Sequence, residues 1–225
     1  MTQTFDSRIH DHLTAVFAAH DQIDAAEQDL LDHCDQALVR RAILDALAQC
    51  LDASSDDASA WLLKLEWLVH MCVECAHAET AHALITVLDH DHPGARAAGG
   101  DALTELAYER YREVAEAVEA RLDKPEFGPA LLELPWILKE VHEPSPVSLL
   151  RRFLKHSHPE VVASAIEAAL LTGEHELVTA LEALRDDKRV VSLEDEEGNE
   201  GPPTYIGELA SEAAAALEHS TTPQS

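Results

Sequence analysis

Basic residues are scarce in this chain. Lys and Arg total 16 against 43 Asp and Glu, a formal net charge of −27 over 225 residues. Proteins that grip nucleic acid draw much of their affinity from Lys and Arg on phosphates. Anionic membrane surfaces attract basic segments for the same reason. The expected partners therefore include no nucleic acid and no membrane. The two dense basic groups, Arg151-Arg152 with Lys155 and Arg185 with Lys188-Arg189, lie among acids and form no stripe. Long apolar runs are missing too: the most apolar window, Trp61 to Ala76, is interrupted by Lys64, Glu66, His70 and Glu74, so no membrane span is expected. Met1 to Arg8 has no apolar centre of the secretory kind. The four cysteines, Cys34, Cys50, Cys72 and Cys75, are then expected as reduced thiols in a cytoplasmic protein. No Gly-rich phosphate loop, Gly-x-Ser-x-Gly elbow or His-Glu-x-x-His is found. The expectation is no enzyme, no catalytic residue and no cofactor.

Glycine is also rare, with 8 residues, while Ala, Leu, Glu and Asp dominate. That composition favours helix, and strand formers occur singly inside helical patterns, so no sheet is expected. Phe5, Ile9, Leu13, Val16 and Phe17 fall at helical spacing. Asp21 is placed to cap a second helix running to Leu31. A third helix over about 36–51 has a stripe through Val39, Ile43, Leu47 and Cys50, and Ser54 to Asp57 ends it and caps a fourth. That fourth helix, about 58–75, is apolar around most of its circumference and reads as buried on several sides. Its Trp61 and Trp67, with Trp136, read as core packing. A fifth covers about 79–88. The segment 93–122 keeps helical register but is long, and Gly99-Gly100 marks a kink or a close helix contact. Pro135 is expected to start a helix. Thr172-Gly173 ends one. Glu176 to Leu184 forms its partner, Val190 to Leu193 is briefly extended, and Thr204 caps the last helix.

Two stretches echo each other 66 positions apart: His90-Asp91-His92-Pro93 and His156-Ser157-His158-Pro159, each followed by an alanine-rich helix. Helix pairs with small residues at fixed places must stack to bury their faces. The stretch His158 to Leu170, followed by Leu177 to Leu184 and by Thr204 to Ala213, resembles the HEAT-repeat family, in particular bacterial HEAT-like proteins of the PBS-lyase type. The likeness is good over 146–217, fair over 78–106 and architectural over 1–77. One departure concerns a basic residue early in the first repeat helix. It is present as Arg96, but its counterpart is the apolar Val162. The resemblance implies an all-α solenoid of stacked antiparallel helix pairs with about ten to twelve helices. It would form a single domain over 1–219, with divergent helices to 77, repeats over 78–217 and a tail at 220–225.

Fourteen histidines raise the question of metal. Cys72, Cys75 and His77 carry soft-ligand types at close spacing, but no second Cys-x-x-Cys supplies the rest, and both cysteines fit an apolar stripe. Glu74 with His77 is half of a di-iron pattern whose other half is absent from the N-terminal half. His90, His92, His156 and His158 are expected at helix ends, where a ring can meet a terminal carbonyl. The resemblance implies a non-catalytic scaffold that binds another protein, and the acidity has two readings, solubility or adaptation to a salty cytoplasm on one side and a basic partner on the other. An immunity protein neutralising a basic toxin is the sharper form. Its candidate contacts are Glu105, Glu109, Glu113, Glu116 and Glu119 on one helix, and Glu194, Asp195, Glu196 and Glu197 in the loop Glu194–Glu200. The alternative is a HEAT-like lyase or other enzyme subunit handling a cofactor or modified substrate.

Overall fold

Short turns and helix-forming composition produce a succession of helices in the computed structural model, which describes residues 2–53, 57–141, 144–194 and 200–220. In order they are α1 (Thr2–Leu31), α2 (Ala37–Asp52), α3 (Ala58–Glu74), α4 (Thr80–Leu88), α5 (Pro93–Leu122), α6 (Ala130–Glu140), α7 (Val147–Phe153), α8 (Pro159–Thr172), α9 (Val178–Glu182) and α10 (Ile206–Ser220). A single 3-10 turn, His175–Leu177, leads into α9. The protein is thus all-α in class, with one addition described below. Among the described residues no helix is long and apolar enough to cross a membrane.

Local chemistry explains most of the boundaries. Asp57 accepts hydrogen bonds from the Ser59 and Ala60 N–H groups, both at 3.1 Å, and so caps α3. Proline opens α5 and α8, where its missing N–H costs nothing. Gly173 ends α8 in the left-handed region at φ 69°. Pro135 does not start a helix as expected; it lies inside α6, which begins at Ala130. The earlier start is supplied from outside, because Asp89 Oδ1 accepts from the Ala130 N–H at 3.0 Å. Asp21 caps nothing either. α1 runs through it without a break, since no Gly or Pro interrupts a stretch rich in alanine.

The long α5 is two helical stretches in series. Arg110 has φ −133° and ψ 41°, outside the helical region. The break lies there and not at Gly99-Gly100. Gly99 instead permits close contact: a Cβ on it would stand 3.1 Å from the Leu88 backbone nitrogen and from Val87. The first stretch packs on α4 and reaches α6, where Tyr108 donates to the Glu140 carbonyl at 3.1 Å. The second reaches α7 through Arg152, which lies 3.6 Å from Glu119 and 2.5 Å from Asp123. Its Arg121 is buried against Asp89 at 2.5 Å. Asp89 therefore joins the ends of α4, α5 and α6. Removing either partner of such a buried pair costs about 3–5 kcal/mol.

Side by side, α3 packs on α5, α5 on α6, α6 on α8 and α8 on α10, while α2, α4, α7 and α9 lie against members of that row. The arrangement is consistent with a stack of helix pairs. One hydrophobic core runs from Ile43 to Leu217, built largely from Leu, Val and Ala, with Phe153 the aromatic among its largest fully buried side chains.

Three further expectations are corrected. A small sheet exists: β1 (Val190–Glu194) pairs antiparallel with β2 (Glu200–Tyr205), with Val190 opposite Tyr205 and an irregularity between Ser192 and Glu194. Pro202 and Pro203 hid the second strand, since proline is confined to edges; in a two-stranded ribbon every strand is an edge. Thr204 accordingly lies in β2 and does not cap α10. The first N–H groups of α10, from Ile206 and Gly207, donate to the carbonyls of Arg189 (2.9 Å) and Asp187 (3.0 Å). Nor are all four thiols free. Cys34 and Cys75 are joined, with Cα atoms 5.0 Å apart across 41 positions, within the span a disulfide requires. The bond ties the turn after α1 to the end of α3.

Candidate binding groove

The arginines account for where positive charge is unavailable. Arg40 donates to the Cys34 carbonyl (2.6 Å), Arg96 to Asp91 (2.8 Å), Arg110 to Ala76 (2.5 Å), Arg121 to Glu126 (3.0 Å), Arg151 to Glu176 (2.7 Å) and Arg189 to both His156 and Ser157 (2.8 Å each). Each closes a turn or loop whose carbonyls have no helical partner. Cations that serve as turn clamps are poorly placed to neutralise the acidic faces.

The kink at Arg110 splits the expected acidic ladder of α5. Glu113 pairs with Arg110 at 2.7 Å, Glu116 with Arg112 at 2.9 Å, and Glu119 faces Arg152 at 3.6 Å. Glu109 lies with Glu113 and Glu116 around a depression of about 470 Å³ that also holds Arg110 and Arg112. Glu105 alone of the five joins a different surface. Glu194 ends β1, and Asp195, Glu196 and Glu197 lie outside the described residues.

That different surface is a groove over the first stretch of α5, walled by α3 on one side and α6 on the other. It comprises two adjoining hollows of about 380 and 450 Å³ that share Ala97 and Asp101. Small residues, Ala97, Ala98 and Gly100, keep the floor low. Its carboxylates are Glu66 from α3, Asp101 and Glu105 from α5, and Glu133 and Glu140 from α6. Glu66, Asp101, Glu105 and Glu133 make no ion pair among the described residues, whereas Glu140 pairs with Lys139. The basic side chains in the lining have partners: Arg96 donates to the His90 and Asp91 carbonyls, and His70 lies beside Glu27 at 3.8 Å. Trp136 stands half-buried in the wall, with Lys139 Nζ 5.8 Å from its ring centroid. It was expected in the core, where Trp61 and Trp67 more nearly belong. Trp61 donates to the Cys50 carbonyl and Trp67 to Glu27, each at 2.8 Å. Further along the row, burial on α8 raises the Glu167 carboxyl above its ordinary range.

A larger hollow, about 660 Å³, lies between the 185–188 turn and α10. It mixes Arg185 and Lys188 with Asp186, Asp187, Glu208 and Glu212, so it presents no single sign. The groove residues of α3 and α6 escaped the sequence reading. Their signal was present as Glu66 with His70, and as Glu133, Trp136 and Glu140, at i, i+3, i+4 and i+7 on the polar sides of apolar helices.

The metal candidates separate. Cys75 is bonded to Cys34, and burial pushes the Cys72 thiol up to about 12. His77 Nδ1 accepts from the Glu79 N–H at 3.1 Å, and burial lowers its pKa. Among the described residues no three His, Cys, Asp or Glu side chains are grouped to hold a metal ion. The His-x-His-Pro rings also behave otherwise than expected. They accept from N–H groups ahead of them: His92 N–H to His90 Nδ1 at 3.0 Å, His158 N–H to His156 Nδ1 at 3.1 Å. The carbonyl contact expected of them occurs at His33, on Asp29 at 2.7 Å.

Comparison with known proteins finds no matching family, no similar curated protein and no similar solved structure.

Proposed function

We propose that this chain is a non-catalytic scaffold of HEAT-like type that binds a basic protein in the groove across α3, α5 and α6. One observation carries the reading. Five carboxylates and a half-buried tryptophan line two adjoining hollows whose one arginine, Arg96, is held on turn carbonyls. Trp136 already carries Lys139 at 5.8 Å from its ring centroid, a place that an arginine or lysine of a partner would share or take over, and a mostly acidic field speeds encounter with a basic surface. A neutraliser of a basic toxin, in the manner of an immunity protein, is the sharpest form of this proposal.

Calorimetry with an Arg- and Lys-rich helical peptide tests it. Binding is expected to weaken steeply with salt. It should also fall by about tenfold or more, about 1.4 kcal/mol, in Asp101→Lys with Glu133→Lys. Equal affinity in wild type and variant rejects the groove. Absence of any basic protein retained from the source cell at low salt rejects the reading itself. The reading places the chain in the cytoplasm. The Cys34–Cys75 bond argues instead for an oxidising compartment, and alkylation trapping of thiols in fresh extract decides between the two.

A further inference from the structure

Over most of its length α1 stands clear of the other described residues. Every residue from 8 to 26 is exposed, and only Leu30 and Leu31, near its end, pack on the core. Glu27 adds one polar tie, accepting from Trp67 Nε1 at 2.8 Å. Yet the free part carries a continuous apolar stripe. Ile9, Leu13, Val16, Phe17 and Ile23 are 44–63% exposed. A lone helix of this kind is marginal in water, and a stripe this long marks an interaction surface.

The spacing names the kind of surface. Ile9, Val16, Ile23 and Leu30 recur every seven residues, and Leu13 lies between the first two, the period of a two-helix seam. Two further seam positions hold His20 and Glu27. Those two residues discriminate between possible occupants. A second copy laid parallel would set Glu27 on Glu27 and His20 on His20, and would bring two strongly acidic bodies together. A second copy laid antiparallel sets Leu13 against Ile23 and Val16 against His20. It also brings Asp24 beside His10, Phe17 beside Phe17 and Ala19 opposite Ala19. Glu27 then falls at the end of the seam opposite Ile9, with its carboxylate held by Trp67 of its own chain.

We propose that α1 is a self-association helix that pairs antiparallel with α1 of a second copy. The pairing centres near residue 18, nine residues before Glu27, where α1 first meets α3. At about 1.5 Å per residue, each body begins roughly 14 Å from that centre. The two bodies are then about 27 Å apart, about three times the Debye length of about 8 Å at physiological salt. The antiparallel sense thus buries the stripe without forcing the acidic bodies together. The inference does not depend on the groove, which α1 touches only through Glu27 beside His70 and which leaves residues 8–26 of α1 uncovered among the described residues.

Sedimentation and small-angle scattering on the full chain test it at about 0.15 M salt. The expected mass is twice 24.6 kDa, and the expected shape is a dumbbell with separated bodies. Leu13→Glu with Ile23→Glu should raise the dissociation constant at least about 100-fold, leaving single chains. Both sites are exposed and outside the core, so the unfolding midpoint of the body should hold, which separates lost association from lost folding. Wild-type chains that stay single at high micromolar concentration overturn the proposal, even if another helical protein captures α1. An unchanged dimer in the double variant, or a dimer with the bodies side by side, overturns it as well.

Discussion

The turns His90-Asp91-His92-Pro93 and His156-Ser157-His158-Pro159 share three of four residues but are closed by different arginines. In both, Nδ1 of the first histidine accepts from the N–H of the second, and proline begins the next helix. In both, a guanidinium holds two turn carbonyls. At the first turn it is Arg96, three residues past the proline, at 3.4 Å from the His90 carbonyl and 2.8 Å from that of Asp91. At the second turn the matching residue is Val162, which is fully buried. The guanidinium there belongs to Arg189, 33 positions after His156, at 2.8 Å from each carbonyl. β1 packs on α8 with Val191 buried, and Arg189 stands immediately before it. The segment that lies over α8 also brings the missing arginine. Asp187 aims it, with Oδ1 and Oδ2 on Nε at 3.1 and 3.0 Å and Oδ2 on Nη2 at 2.6 Å.

A second difference follows from one residue. Gly94 lets His92 Nδ1 accept from the Gly94 N–H at 3.1 Å and cap α5. A Cβ there would stand 3.1 Å from His92 Cε1 and 2.9 Å from Leu62. The second turn carries Glu160 in that place. His158 caps nothing, its Nδ1 is buried without a hydrogen bond, and the ring stacks on Phe127 at 4.1 Å. The turn can therefore be built in two ways, provided an arginine reaches its carbonyls.

The largest expected effect comes from forcing the second turn into the first turn's design. Val162→Arg puts a guanidinium where the native side chain is fully buried. The cost is roughly 4 kcal/mol or more, enough to remove most of the stability of a typical domain. Chemical denaturation measures it. A loss below about 1 kcal/mol would mean that the site is open enough to take an arginine, and burial could not be why the clamp is supplied from elsewhere.

Val162 also shows where the sequence stopped being legible. Its apolar character against Arg96 was visible as a departure from the repeat. Its replacement was not, because no spacing rule links residues 33 positions apart. The helices themselves were legible wherever apolar stripes and caps coincide, as at Asp57 and Gly173. The interruption at Arg110 was not, since its cause is contact: its guanidinium reaches back to the Ala76 carbonyl at 2.5 Å. The acidic ladder reads as one surface in the sequence because the breaker visible there, Gly99-Gly100, precedes all five glutamates. Among its five members, Glu105 alone lines the groove. The Cys34–Cys75 pair was hidden likewise, by 41 intervening residues.

A middle-sized effect sharpens the difference between the clamps. Arg189→Ala strands two carbonyls and the Asp187 carboxylate, and is expected to cost about 2–3 kcal/mol. Arg96→Ala strands carbonyls alone, on a more open turn, and is expected to cost about 1 kcal/mol. Urea midpoints for the two variants give the ranking. Asp187→Ala combined with Arg189→Ala should cost less than the sum of the singles, by at least about 0.5 kcal/mol, since the two side chains act as one unit. Additive losses would show Asp187 to be a bystander.

The smallest effect is a dependence on pH at the second turn. Burial, followed by the neighbouring His158, Arg121 and Arg189 side chains, holds the His156 pKa below its ordinary 6.5. The accepting Nδ1 needs its lone pair, so the folded turn favours the neutral ring. The unfolded chain takes its proton as pH falls through 6.5, before the folded chain does. The stability contributed by the neutral ring is therefore complete above that value and declines as pH drops toward the folded pKa. His77 acts in the same direction through burial. His33 acts in the opposite one: its bond to the Asp29 carbonyl raises its pKa, so its contribution is present below 6.5 and fades as pH rises through the folded value. His156→Asn separates the turn from these two, because asparagine offers an acceptor that takes no proton. The fall in urea midpoint between about pH 7 and about pH 5 should be shallower in that variant than in wild type. An identical slope would mean that the proton responsible binds elsewhere and that the His156 ring serves its turn by shape alone.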